Sequence, residues 1–343
     1  MRLTDKKWIG RGDEPLCPQS MTVQAGLKLT NASRLEILPL PPFDFRLTVK
    51  RPAGWSLFNA GEIYEGGTLW TATRLLGTVV GLRLRFHGTV ESPRVLATIY
   101  TQEPLTAETK REMKSALETL TGADQDLKGF YAMAERDKIL KHAVEDLYGM
   151  HDAQTAYLFN SVVLSICLQM ARMERSLKMM AAITHHYGDR VEFDGRKMVV
   201  EPSVEKIAKL DPKEFAKRCN LGYRGKYIVA AAKVFVRGFP DTVEILKMRP
   251  EEAKEKLMEL PGVGDYAADI INPHGGFPID AWSVDVFGLL FFGKEPENRR
   301  EAIEKVKEEG ILRWGRWSWM AFFYVAQDLR NLSKHLGIEL RLE

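Results

Sequence analysis

The segment MELPGVGDYAADII, residues 258–271, closes one helix and opens another. Pro261 cannot continue the helix of PEEAKEKLMEL, because it lacks an amide hydrogen and its ring clashes with the preceding turn. Gly262 and Gly264 admit left-handed backbone and carry no side chain to obstruct a close approach. Ala267, Ala268 and Ile271 then recur at helical spacing. The pattern predicts a tight hairpin between two helices. Such a turn can be a plain connector with glycine at a helix C-cap. It can also offer backbone amides and the positive end of the second helix to an anion, gripping a DNA phosphate without reading a base.

Fourteen residues beyond Tyr266 stands Asp280, after GGFP and ahead of the apolar run AWSVDVFGLLFF. An aspartate in that position caps a helix. An ionised carboxylate facing a groove can also stabilise a sugar cation and orient or deprotonate water, which is the chemistry of breaking a glycosidic bond. The two roles are compatible, since a capping carboxylate is a rigid one. Asp285, in SVDVF and nineteen residues past Tyr266, is the second candidate. It falls inside the helix, five residues on and turned by about 140°.

The remaining sequence sets the frame. The chain has 343 residues, 45% hydrophobic and 28% charged, enough for two or three domains with real cores. Its net charge of +3 fits a nucleic-acid partner without requiring one. The three cysteines Cys17, Cys167 and Cys219 are far apart and form no C-x-x-C pair, which excludes a thiol zinc site or a four-cysteine cluster. Cys167, in VVLSICLQM, reads as a small buried hydrophobe. No apolar run approaches the roughly 20 residues of a membrane helix, and the N-terminus has no signal-type core. A cytoplasmic protein with no membrane partner is expected.

From about Met21 to Ile99 the texture is strand-like. LKLTNASRLEILPL, FDFRLTVKR, TLWTATRL and VGLRLRFHG alternate apolar and polar residues between Gly and Pro. PLTAETKREMKSALETLTG follows as a helix with Thr106 as its cap and Glu108 in the first turn. From Leu127 the period is helical to the end of the chain. The fold class expected is α+β at the front, an antiparallel sheet with helices, and an all-α body of two helical subdomains behind it. The boundaries are 20–125 for the front, 126–155 plus 280–343 for one helical subdomain, and 156–279 for the other, with the hairpin at about 248–272.

Taken together, a helix-hairpin-helix, a loop rich in Gly and Pro and an Asp opening a helix resemble the helix-hairpin-helix DNA glycosylase superfamily. LPLPPFDFRL and LFNSVVLSICLQMARMERSLKMMAAITHHYG are similar to its alkyladenine branch. CNLGYRGKYIVAAAKVF and RWGRWSWMAFFYVAQDLRN are similar to its 8-oxoguanine branch. The resemblance covers residues 35–335 in pieces. It implies a DNA repair enzyme acting on double-stranded DNA with a damaged base, working as a monomer without a cofactor. No metal is expected, a monovalent cation at the hairpin being the one ion it allows.

The same resemblance assigns residues. Asp280 is favoured as the catalytic carboxylate over Asp285, having Pro278 two residues before it and Trp282 two after. Gly262, Val263, Gly264 and Tyr266 would bind the DNA backbone. A base must leave the stack before its glycosidic bond can be reached, and a side chain must fill the gap. Met170 resembles that wedge and Gln169 its neighbour, although a methionine there can equally pack a core. Tyr223 and Arg224 resemble the residues that contact the orphaned base. Trp282, Trp319 and Phe322 would line the base pocket, in a C-terminal region whose aromatics are mostly core.

Two departures narrow the chemistry. Members that also cut the backbone place a lysine in the hairpin to form a Schiff base. Tyr266 holds that position, and no lysine occurs between Lys256 and Lys294. Ala321, Phe322, Val325 and Ala326 stand where 8-oxoguanine enzymes use Gln and Phe. The expectation is hydrolytic removal of an alkylated, etheno or deaminated base, with oxidised purines as the alternative and a non-catalytic binder of distorted DNA as the alternative of another class.

Overall fold

A computed structural model describes residues 26–51, 61–153, 157–171 and 173–340. Cys17, the N-terminal stretch and the 155/156 boundary lie outside the described residues.

The front of the chain runs β1 (Leu27–Lys28), β2 (Asn31–Ile37), α1 (Phe45–Val49), β3 (Ile63–Glu65), β4 (Thr68–Leu75), β5 (Thr78–Thr89), β6 (Ser92–Thr101) and α2 (Ala107–Leu120). Strands β2 to β6 form an antiparallel sheet in the order β2-β6-β5-β4-β3. Alternation puts Val80, Leu82 and Leu84 of β5 and Val95, Ala97 and Ile99 of β6 on one face. Helix α2 covers that face with Met113, Ala116, Leu117 and Leu120, spaced three and four apart. Its start is fixed by Thr106, whose hydroxyl accepts from the Thr109 amide at 3.1 Å.

FDFRLTVKR is not a strand. Asp44 accepts from the Leu47 amide at 2.8 Å and starts α1, which buries Phe45, Thr48 and Val49. The apolar residues Phe45, Leu47 and Val49 alternate as a strand would, whereas the buried set 45, 48 and 49 follows helical spacing, and the cap decides between them.

The body continues with α3 (Lys128–Ala134), α4 (Leu140–Asp146), α5 (Leu158–Leu168) and α6 (Met173–Tyr187), then β7 (Asp189–Phe193) and β8 (Arg196–Val200). There follow α7 (Val204–Ala208), α8 (Pro212–Arg218), α9 (Arg224–Val236), α10 (Thr242–Leu246), α11 (Pro250–Met258) and α12 (Asp265–Ile271). Last come α13 (Ser283–Phe292), α14 (Arg299–Trp314) and α15 (Ser318–Leu336). One helical core gathers side chains from residues 158–271, and another gathers 127–150 with 277–340. Cys167 and Cys219 are buried in the first.

The body is not purely helical. Strands β7 and β8 make a hairpin through Asp194 and Gly195, at φ 49° and 71°, the left-handed pair that a two-residue hairpin turn requires. Strand β1 joins it in parallel, Leu27 opposite Val191, so the hairpin stitches the front to the body. Asp194 caps the junction, accepting from Trp70 Nε1 at 2.8 Å, the Tyr100 hydroxyl at 2.7 Å and Arg83 Nη1 at 3.0 Å. Underneath, the Phe193 ring lies on Gly81, where a side chain would overlap it.

Helix α14 runs without a break through Gly310 to Trp314. Glycine is a poor helix interior, but a methyl at 310 would overlap the Phe277 ring. Its function is clearance for the segment that carries Asp280.

Candidate active site

Helices α11 and α12 form the hairpin. Only Gly262 uses the left-handed region, at φ 86°, where an added Cβ would come within 2.8 Å of Tyr227 Cβ. Gly264 has φ −106° and open space around it, so glycine there serves access and not conformation. Val263 departs from its expected place at the DNA backbone. Its side chain is buried in the core and its amide donates to the Leu260 carbonyl at 3.0 Å, so the turn itself consumes it. The surface left to an anion is Gly264 and the first amides of α12.

Asp265 and Asp269 lie one turn apart on α12, where two carboxylates would repel a phosphate. Lys254 Nζ bridges them at 2.5 and 2.7 Å. Lys307 Nζ, from α14, reaches Asp265 and also Asp269, at 2.7 Å. Burial alone would lower the pKa of Lys307, but the two carboxylates outweigh it and raise it to about 12. The ring of four charges sums to zero and ties α11 and α12 to α14. Sequence reasoning misses these residues, because the partners of Lys307 lie 38 to 42 residues away along the chain.

Asp280 is half-buried, ahead of α13. Its Oδ1 accepts from the Trp282 amide at 3.0 Å, the Ser283 amide at 2.8 Å and the Ser283 hydroxyl at 2.8 Å. The Tyr266 hydroxyl also donates to this carboxylate. Burial, with the neighbouring Asp280 charge, pushes the Tyr266 phenol well above its usual range, so it stays protonated. Tyr266 therefore faces Asp280, where the sequence suggested the DNA backbone. Asp285 is elsewhere in character: it is buried, and Arg299 grips both of its oxygens, at 2.9 and 2.5 Å.

On α15 the Trp319 and Phe322 rings are nearly parallel, with centroids 6.1 Å apart, and both are partly exposed. Trp319 Nε1 donates to Asp152 at 2.5 Å, and Arg51 lies 3.7 Å from the other Asp152 oxygen. Gly275, at φ 78°, passes directly against the Trp319 side chain, linking this platform to the loop that ends at Asp280. Trp282 packs against the 277–340 core.

Met170 is 89% exposed in the left-handed region at φ 49°, just past the end of α5. It is therefore no core residue. Tyr223 is exposed. Arg224 is not: it is 3% exposed, and its guanidinium donates to the Gln169 carbonyl. Gln169 in turn spends its side-chain amide on the Gly262 carbonyl at 2.6 Å. In this structure neither side chain is presented to an orphaned base.

Among the described residues, no group of three or more His, Cys, Asp or Glu side chains could hold a metal ion. None of their helices is long and apolar enough to cross a membrane.

The hairpin of α11 and α12, the capped Asp280 carboxylate and the exposed Met170 all belong to the helical body. No protein-family model matches the chain. It is 26% identical over 205 residues to the DNA-3-methyladenine glycosylase of Bacillus subtilis, an alignment covering 59% of this chain and 67% of that one. In fold it is similar to the 3-methyladenine DNA-glycosylase from Archaeoglobus fulgidus, with a TM-score of 0.68, 20% identity and coverage of 87% and 99%. It is likewise similar to the apo 8-oxoguanine glycosylase/lyase of Clostridium acetobutylicum, with a TM-score of 0.64, 19% identity and coverage of 87% and 99%. The chain thus has DNA glycosylases among its homologues and shares their fold.

Proposed function

We propose that the protein is a monofunctional DNA glycosylase of base excision repair, which flips an alkylated, etheno or deaminated base out of duplex DNA and hydrolyses its glycosidic bond. The observation that carries this reading is the Tyr266 hydroxyl on the Asp280 carboxylate. As the bond to the base breaks, positive charge develops on the sugar, and Asp280 stabilises it while orienting the water that attacks. Four donors hold Asp280 in place before substrate arrives. Tyr266 remains a neutral donor and supplies no amine.

Two lysines beside the hairpin support the monofunctional assignment. Lys254 and Lys307 each pair with both Asp265 and Asp269, and those carboxylates raise the Lys307 pKa to about 12. Lys307 is therefore protonated, and a protonated amine is not a nucleophile. Borohydride is expected to trap no covalent protein–DNA adduct, and strand cleavage to require added alkali or heat. Efficient trapping would overturn this, and Lys307→Met, Lys254→Met and Lys226→Met would then identify the amine.

The substrate class is tested with duplexes that each carry one lesion, treated with alkali to reveal abasic sites. Release from 3-methyladenine, ethenoadenine or hypoxanthine duplexes is expected. Release confined to 8-oxoguanine would favour the second reading, which the likeness to the 8-oxoguanine glycosylase/lyase supports. No release from any lesion, with tight binding retained, would favour a non-catalytic binder.

Gly264→Val tests the phosphate grip. At φ −106° valine is tolerated by the backbone, so the protein should fold normally. Binding to damaged and undamaged duplex should weaken alike, and the slope of log affinity against log salt should fall by about one at most. Gly262→Val is the contrasting variant, because it forces a left-handed valine against Tyr227 and should destabilise the hairpin itself. Unchanged affinity and slope in Gly264→Val would reduce the turn to a connector.

A further inference from the structure

Met170 presents a structural problem. A non-glycine residue held in the left-handed region persists only where its surroundings over-determine it, yet its own side chain is almost fully exposed. The constraint must come from the backbone before it. Gln169 supplies that constraint twice over. Its side-chain amide donates to the Gly262 carbonyl at 2.6 Å, and its carbonyl accepts from Arg224. Arg224 also reaches the Leu221 carbonyl at 3.4 Å.

The contacts close into a ring. The Tyr223 ring covers the Arg224 guanidinium at 4.7 Å and meets Tyr227 edge-on at 6.2 Å. Tyr227 lies beneath Gly262, which brings the path back to the Gln169 amide. Wedge, hairpin turn and the exposed Tyr223 thus share one small network, although they are drawn from residues 169, 223 and 262 of the chain. A buried guanidinium suits this work, because its planar fork holds carbonyls in fixed directions.

We propose that Gln169 and Arg224 are positioning residues that hold Met170 to the phosphate-gripping hairpin, so that seating the hairpin drives the wedge into the base stack. This rests on the glycosylase reading and on Met170 as its wedge. A side chain can prise a base step apart only if the protein behind it does not yield. Without the Gln169 amide, the hairpin still grips the backbone but Met170 relaxes out of its left-handed conformation. The role then belongs to base opening and not to bond breaking.

The test is a double-mutant cycle on single-turnover excision, using a lesion in stacked duplex and the same lesion opposite an abasic site, where the stack is already open. Gln169→Leu keeps the side-chain bulk and removes the amide. It should slow excision from stacked duplex about fivefold or more, the scale of one lost hydrogen bond, and lower the ratio of stacked to pre-opened rates accordingly. In a Met170→Ala background it should add less than about twofold, because it acts through Met170.

Equal slowing on both substrates, effects that multiply with Met170→Ala, or a wild-type rate on stacked duplex would each overturn the coupling. Arg224→Lys, checked by thermal unfolding, should repeat the Gln169→Leu pattern. If it does not fold, Gln169→Leu decides alone. Failure of the unmutated protein to release any base would defeat the glycosylase reading, whereas normal release with multiplying effects would defeat only this coupling.

Discussion

Asp280→Asn should lower single-turnover base release by about two to three orders of magnitude, the scale on which removing one preorganised electrostatic group acts. Binding to lesion duplex should change little, because the carboxylate acts on charge that exists only in the transition state. The fold should survive as well. The oxygen of the introduced amide can still accept from the Trp282 and Ser283 backbone amides that cap the start of α13. Asp285→Asn is the matched control. It disturbs a buried carboxylate gripped at both oxygens by Arg299, so its cost should appear in stability and not in the rate of the folded enzyme. An inactive Asp285→Asn beside an active Asp280→Asn would reverse the assignment. Full activity in both would remove the mechanism altogether.

Phe277→Ala should be the most damaging core substitution near the site, costing about 3–5 kcal/mol. The ring is 1% exposed and packs edge-on against Phe287 at 5.1 Å, Trp314 at 5.7 Å and Phe322 at 5.8 Å. It anchors the segment from α12 to α13 only three residues before Asp280. The variant should unfold at clearly lower urea or temperature, and below its transition it should lose kcat more than KM. Gly310→Ala overfills the same place from the opposite side and should cost about 1–3 kcal/mol. If Phe277→Ala unfolds like the unmutated protein, that cluster is not what holds the catalytic loop.

Not every local signal in the sequence points the right way. FDGR carries the Asp-Gly pair of a two-residue hairpin, flanked by VEF and KMVV, yet helical texture on both sides conceals β7 and β8. FDFRLTVKR is ambiguous in principle, since five residues seldom separate the two periods, and only the Asp44 cap resolves it. Gly310 looks like a helix stop because its real partner, Phe277, is far away in sequence.

The sequence by itself determined the local devices: a turn that needs Pro261 and Gly262, a capping Asp280, and a stretch from Lys256 to Lys294 with no lysine between. Each depends on backbone conformation or residue identity within a few positions, which is why it is legible one segment at a time. Only the tertiary structure decided what surrounds them. It puts Tyr266 on Asp280 and Arg299 on Asp285, when spacing along the chain left both carboxylates eligible. It buries Arg224 against the Gln169 carbonyl, and it neutralises Asp265 and Asp269 with Lys254 and Lys307. Hydrogen bonds end within about 3.5 Å and screened charges fade over about 10 Å, so a side chain's chemistry is set by its neighbours in space. Those neighbours are chosen by the packing of two helical cores, which no short stretch of the chain encodes.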